Sequence, residues 1–271
     1  MYPWDTRSIG IRWTIGDVST YGFDALRLSL WGAFAIFGRR AEYAVCTNGL
    51  PLGIARERTG EVPDVVRWHD ASLEVPAFLQ PHFDARMAEG VGWKLAPLRL
   101  FPDRYELALD NDCILWRLPA AMRAWLECEV PSCLLAEDVR ACFGRFSQAC
   151  GPAPRNTGIR GLPPRFALDR ALQAILHEEP APMTSELDEQ GLQVAALTHS
   201  GPVQVVRLRD VAICSPFPPH LSDLGFCGAH FVGLNAHALP FRVDDRPGED
   251  VLREHWRRHL PELQRRVSAA R

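Results

Sequence analysis

Several things are missing from this sequence, and each absence narrows its class. The longest apolar stretch, Leu28 to Phe37, is too short and too interrupted to span a bilayer. The opening residues MYPWDTRSIG carry no basic segment followed by an apolar run, so no secretory signal is expected and a cytoplasmic location follows as the default. No pair among Cys46, Cys113, Cys128, Cys133, Cys142, Cys150, Cys214 and Cys227 has the C-x-x-C spacing of a structural zinc site. A chain of 271 residues also needs no disulfide framework, so the cysteines are expected to be reduced thiols, mostly small buried apolar residues. Lysine is nearly absent, and arginine carries the positive charge. With a formal net charge of -3, nothing suggests a broad nucleic-acid-binding surface, and no nucleic-acid partner is expected. There is no internal repeat and no low-complexity tract.

What is present reads as a globular α/β chain. Hydrophobic content of 47% with modest net charge excludes intrinsic disorder. Ile9, Ile11, Trp13 and Ile15 alternate strictly, which is the period of a strand. Gly16 to Thr20 is a loop, with Ser19 or Thr20 placed to cap a helix predicted over 23–37, and Gly38 stops that helix. A second strand is predicted over 42–47, followed by an Asn48-Gly49 turn. Strand, helix and strand make one βαβ unit with parallel strands and a right-handed crossover. Further along, the pattern predicts a strand over 65–69, a helix over 91–100, a turn over 101–104 and an alternating strand over 105–109. That last strand runs directly into Asp110-Asn111-Asp112. In open α/β sheets, ligands bind beyond the carboxyl ends of the strands.

A Gly/Pro-rich break follows at 151–154. Helices are predicted over 166–177 and 185–197, separated by Glu178 to Pro182. The second opens with Ser185 and has Asp188 three residues on, a loose capping box. Short strands are predicted over 203–208 and 211–214, then a loop with Pro216, Pro218 and Pro219. An amphipathic helix over 249–267 closes the chain. Arg253, Arg257, Arg258, Arg265 and Arg266 read as its solvated face, or alternatively as a surface for acidic lipid or a partner protein.

Five groups carry candidate chemistry, each with a plainer reading beside it. Asp110 and Asp112 flank one residue at a strand end and can turn toward one point. They offer hard oxygen ligands for Mg²⁺ or Mn²⁺, ions that keep open positions for phosphate oxygens. The plainer reading is a solvated acidic turn. His230, between Gly228 and Gly233, is a Mn²⁺ ligand if its imidazole is neutral, or else a structural histidine. Asn156-Thr157-Gly158-Ile159 can present an amide and open backbone to a hydroxylated ligand, or form a simple turn. In Asp188-Glu189-Gln190, Asp188 and Gln190 point about 200° apart on a helix and share a face only at its start or at a kink. Lys94, beside Trp93, suits a diphosphate as a compact charge, or sits on the surface of a helix.

The order of these groups carries more than any one of them. W-K-L, strand plus D-N-D, N-T-G-I, D-E-Q and H-x-x-G follow the first strand-loop-helix-strand unit. In this order the chain resembles the GT-A glycosyltransferases, most closely the retaining glycogenin and galactosyltransferase-like group, over roughly Ile9 to Asn235. That group has a D-x-D after a strand, an N-[AST]-G segment, a D-Q-D-type helix start and a late H-x-x-G-x-x-K. Two positions depart from it. Ala236 stands where the lysine is expected, and the helix start reads D-E-Q.

The resemblance implies a Rossmann-like mixed sheet flanked by helices in a single domain over 1–271. It divides this into a nucleotide-binding half over 1–115, an acceptor and donor-sugar half over 116–248 and a C-terminal helix over 249–271. It implies that Asp110 contacts ribose and metal, that Asp112 ligates the metal and that His230 completes the ligand set. Lys94 adds positive charge at the diphosphate. The loop from Thr14 to Tyr21 holds base and ribose, with Tyr21 as a stacking surface. Asn156 and Gly158 face the donor sugar, and Asp188 and Gln190 lie near the reacting carbon. The implied cofactor is Mn²⁺ or Mg²⁺, the donor a nucleoside-diphosphate sugar with UDP the common choice, the acceptor an unidentified hydroxyl, and the outcome retention. Two competitors remain. A nucleotidyltransferase would need a glycine-rich phosphate loop after its first strand, for which Gly10 and Gly16 are too sparse. A catalytically silent binding or interaction module on the same scaffold is favoured by Ala236.

Overall fold

The computed structural model describes residues 8–72, 74–83, 90–180 and 182–270. Residues 1–7, on which the N-terminal reading rests, and Ala181 in the predicted break lie outside the described residues. The alternating isoleucines form β1 (Ile9–Ile15), buried along nearly its whole length. Then come α1 (Thr20–Phe37), β2 (Ala41–Thr47), α2 (Leu52–Thr59) and β3 (Val66–Asp70). Ser19 Oγ accepts the Gly22 N–H and caps α1. Next are β4 (Tyr105–Asp110), β5 (Cys113–Leu115), α3 (Ala120–Glu127), β6 (Cys133–Glu137), α4 (Ser147–Cys150) and β7 (Arg155–Leu162). The chain continues through α5 (Leu168–Glu178), α6 (Glu186–His199), β8 (Val203–Val206), β9 (Val211–Ile213) and β10 (Gly228–His230). A two-strand ribbon, β11 (Arg242–Val243) and β12 (Arg246–Pro247), precedes α7 (Gly248–Ala270).

Among the described residues, seven strands form one mixed sheet in the order β3-β2-β1-β4-β7-β6-β8. β1 lies parallel to β2 and β4, and β7 runs antiparallel between β4 and β6. The fold is thus the expected α/β mixed sheet flanked by helices, in a single domain closed by a C-terminal helix. A second sheet, β5-β10-β9, shares one apolar cluster with α1 and α7, which also pack directly on each other. α7 is held there by its apolar face: Trp256 is fully buried and meets the Phe231 ring edge-on at 5.0 Å. Truncating such a residue to alanine costs about 3–5 kcal/mol.

One local expectation fails, one alternative reading drops out, and several elements were not foreseen. Residues 91–100 are not a helix. Gly92 has φ 85°, which no right-handed helix can pass through, so Trp93–Leu95 makes only one tight turn before Pro97. The segment is instead a strap whose backbone groups are satisfied by buried side chains. Arg12 Nη1 donates to the Pro97 carbonyl (2.5 Å), and Glu106 Oε2 accepts the Leu100 and Phe101 N–H groups (2.8 and 2.6 Å). Residues 156–159 form no turn; they lie within β7. Finally, α2, α3, β5, β6, β7 and β10 were not anticipated. α2 is short and polar, and the Leu134-Leu135-Ala136 run of β6 has no period that separates strand from helix.

Candidate active site

β4 and β1 end together, with Asp110 in register with Thr14, so the D-N-D turn opens at the carboxyl edge of the parallel strands. Beyond that turn the chain enters β5. β10 pairs with β5 in antiparallel register, His230 opposite Cys113, and the Phe231 N–H donates to the Asp112 carbonyl at 2.9 Å. That pairing brings His230 Nε2 to 3.4 Å from Asp110 Oδ2 and 3.1 Å from Asp112 Oδ1. The middle residue faces elsewhere. Asn111 Nδ2 donates to the Gly22 carbonyl (3.0 Å) and to Asn235 Oδ1 (2.6 Å), and Asn235 Nδ2 returns a bond to Asn111 Oδ1 (2.9 Å). This amide pair locks the turn to the start of α1. Gly158 of β7 lies beneath the imidazole: a Cβ there would come within 2.4 Å of the His230 ring.

Charge around the triad is tightly compensated. Lys94 Nζ, at the tight turn of the strap, lies 2.8 Å from the Asp110 carboxylate and 3.4 Å from Thr157 Oγ1. Burial disfavours charge on Asp110, but Lys94 and His230 hold its carboxyl well below the usual range. Burial likewise opposes charge on Lys94, yet Asp110, Glu189 and Asp112 raise it. His230 follows the same pattern: burial lowers it, but the two aspartates push it up to about 10. The imidazole thus lies between two carboxylates whose negative charge favours a cation there, a place that a bound metal would take.

The residues fit a hard divalent ion. Asp110, Asp112 and His230 each offer one ligand atom, all within 4.8 Å of one another. Asp112 Oδ1 is buried without a hydrogen-bond partner, its approach to His230 lacking bonding geometry. Two carboxylates and an imidazole are a donor set for Mn²⁺ or Mg²⁺.

The triad opens into a cleft of about 640 Å³, a size suited to a small-molecule ligand. Thr14, Lys94, Asp110, Asp112, Asn156, Gln190 and His230 all line it. Asn156 Nδ2 donates to Asp138 (3.1 Å), and Gln190 bridges the Cys142 carbonyl (2.9 Å) and the Thr157 N–H (3.4 Å). Three expected residues are placed otherwise. Asp188 is not on the cleft wall. Its carboxylate accepts the Thr184, Ser185 and Arg145 N–H groups (2.8, 3.0 and 2.9 Å), completing the capping box of α6. Tyr21 is turned to α7, its ring against the Arg253 and Arg257 guanidiniums (5.7 and 5.5 Å) and its hydroxyl bonded to Arg257, so it is no platform for a base in the cleft. Gly158 supports His230 from behind, and its N–H is taken by Asn156 Oδ1 at 2.6 Å.

Glu189 is the residue that sequence reasoning passed over. It lines the cleft, accepts the Gly92 N–H at 2.5 Å and is bonded by Gln193 Nε2 at 3.2 Å, and Gln193 in turn accepts from buried Arg160. Burial pushes its carboxyl up to about 7, against Lys94 and the Gly92 N–H, which lower it. The capping box of Ser185 and Asp188 is legible in the sequence, but that Glu189 then faces the cleft follows only from how α6 docks.

No protein-family model and no curated protein sequence matches the chain. Solved structures do match. The galactosyltransferase LgtC, in complex with donor and acceptor sugar analogs, superposes with a TM-score of 0.55 at 13% identity, over 96% of this chain and 95% of that one. Mouse xyloside xylosyltransferase 1 gives a TM-score of 0.51 at 12% identity, over 85% and 99% of the two chains. The bifunctional glycosyltransferase WbbM gives 0.52 at 13% identity, over 96% of this chain and 52% of that one. At these identities the likeness concerns architecture, and the architecture agrees along nearly the whole chain: this protein has the GT-A glycosyltransferase fold.

Proposed function

We propose that the protein is a metal-dependent glycosyltransferase that takes its sugar from a nucleoside-diphosphate donor, a UDP-sugar, and passes it to an acceptor hydroxyl with retention. The observation that carries this reading is the O, O, N ligand set of Asp110, Asp112 and His230 at the base of a cleft opening at the carboxyl ends of β1 and β4. Mn²⁺ or Mg²⁺ held there would neutralise charge on the leaving nucleoside diphosphate.

The chain's own residues then divide the work. Lys94, the single lysine of the sequence, presents a compact positive charge to the diphosphate once Asp110 is shared with the metal. Thr14, Asn156 and Gln190 line the same cleft and are assigned to the donor, Asn156 and Gln190 through amides that would have to exchange their present bonds to Asp138, Gly158, Cys142 and Thr157 for the sugar. Glu189, adjacent to Gln190 and held by Gly92 and Gln193, is a carboxyl poised near neutral pH in the same cleft. Ala236 leaves the cleft rim without the second lysine of the resembled group, and that departure favours the alternative of a silent nucleotide-sugar-binding module.

Thermal shifts with UDP, GDP, CDP and dTDP, each with and without Mn²⁺, test the reading. A ligand at about a hundred times its dissociation constant adds roughly 2.7 kcal/mol, several degrees of Tm at this size. A shift requiring one nucleotide and Mn²⁺ together is expected, and donor hydrolysis with metal separates an enzyme from a silent module. No shift with any pair would overturn the proposal.

A further inference from the structure

A second cluster of ligand-type side chains lies outside the cleft. Cys214 follows β9, and His255 and His259 lie one turn apart on α7, so both imidazoles can project from one side of that helix. One ligand atom of each lies within 4.8 Å of the others. Cys214 Sγ and His255 Nε2 are 3.3 Å apart. In a tetrahedral site with Zn–S near 2.3 Å and Zn–N near 2.0–2.1 Å, the S···N edge is about 3.6 Å, so the two atoms need only a small outward shift. The two rings stand edge to face at 4.6 Å, under the apolar cover of Phe231.

The surroundings fit a ligand set more closely than a chance meeting of core residues. Cys214 and His255 are buried and His259 half-buried, so the group is shielded but reachable from one side. His259 Nε2 lies 2.9 Å from the Ser222 carbonyl. A carbonyl only accepts, so Nε2 carries the proton and Nδ1 is left with its lone pair, the arrangement by which a backbone carbonyl orients a metal-binding imidazole. Asp223, the next residue, is close enough to act electrostatically on all three side chains.

We propose that Cys214, His255 and His259 form a thiolate-imidazole site for a soft or borderline divalent cation of the zinc class, with the fourth position open toward Asp223. On binding, the Cys214 thiol gives its proton to solvent, and thiolate plus two neutral imidazoles leave a net single positive charge for Asp223 to balance. The site would fasten α7 to β9. It also reaches the cleft through the backbone, because the Cys214 N–H donates to the His230 carbonyl at 2.7 Å. One interaction opposes it. Arg258 Nη2 lies 3.0 Å from His255 Nδ1. A guanidinium can only donate, whereas metal at Nε2 requires Nδ1 to bear the proton, so Arg258 must release the ring.

Co²⁺ titration of the reduced full chain tests this, because thiolate ligation gives a near-ultraviolet charge-transfer band that oxygen and nitrogen ligands do not. The expected result is one equivalent of Co²⁺ developing that band with tetrahedral visible absorption, and Zn²⁺ bleaching both. The band should vanish in Cys214→Ser and persist in Asp112→Asn. Should Cys214→Ser fail to fold, His259→Gln on the half-buried side must weaken Co²⁺ binding at least tenfold. Arg258→Ala should tighten it several-fold. Absence of the band in the wild-type chain, or its survival in Cys214→Ser or undiminished in His259→Gln, would overturn the site. No tightening in Arg258→Ala would overturn His255 Nε2 as a ligand.

Discussion

Two three-residue clusters flank the short strand β10, and their differences follow from the positions the fold gives them. Asp110, Asp112 and His230 come from a strand end, a turn and a neighbouring strand, and they open into a cleft with charged walls. Cys214, His255 and His259 come from a strand end and a helix, and both imidazoles close against Phe231. The first offers hard oxygens and leaves room for phosphate. The second offers sulfur and nitrogen in an apolar shell. The former arrangement suits an ion that takes part in chemistry, the latter one that fastens a helix.

The sharpest way to break this comparison is Asp112→Asn. It should abolish the Mn²⁺-dependent nucleotide shift, the full value of roughly 2.7 kcal/mol at a hundredfold ligand excess, while Co²⁺ binding at Cys214 stays intact. Loss of both, or of neither, would mean that the two clusters are not independent sites of the kinds assigned. Glu189→Gln addresses the cleft wall that the second cluster lacks. A carboxyl raised from its ordinary 4.5 to about 7 contributes stability that is full below pH 4.5 and lost as pH rises through about 7. The variant should therefore gain up to about 3 kcal/mol relative to wild type at pH 8 and little at pH 4, read from denaturant unfolding at the two pH values. An equal change at both would show that Glu189 is not a buried acid.

Gly158→Ala probes the support of His230. Its Cβ would overlap the ring, so a destabilisation of about 1–3 kcal/mol is expected, with weaker Mn²⁺ binding and no effect on Co²⁺ at the thiolate cluster. Lys94→Met should lower nucleoside-diphosphate affinity about tenfold, roughly 1.4 kcal/mol, with a smaller effect on the corresponding nucleoside, measured by calorimetry. The smallest effect is expected for Tyr21→Ala. It should leave nucleotide affinity unchanged, because the ring stands against α7 and outside the cleft.

The difference between Asp188 and Glu189 shows where sequence reading stops. Both stand in one acidic triplet, and the capping box was legible from Ser185 alone. What could not be read is that a complete cap removes Asp188 from the cleft and turns its neighbour into it, since that depends on where α6 docks against β7 and the strap. Lys94 is the converse case. It was identified for its charge but assigned to a helix, and only the buried Arg12, Glu106 and Glu189 side chains show why 91–100 can remain an extended strap with its backbone groups satisfied.

By itself the sequence determined the elements whose residues carry a period: β1, α1, β2, β4, α5, α6 and α7. Through these it determined the α/β class and the placement of two aspartates at a strand end. Apolar spacing and the cap and stop residues that bound it are local properties of the chain, so they survive in a linear reading even where, as in β1 and α6, both faces end up buried. Tertiary structure alone decided that β5 and β10 pair, and hence that His230 reaches Asp110 and Asp112. It also decided that Gly158 serves the imidazole, that Tyr21 turns to α7, and that Cys214 meets two histidines from the far end of the chain. Each of these is a contact between segments distant in sequence. Such contacts are fixed by how whole faces pack and by which buried polar groups find partners, and no local pattern encodes either.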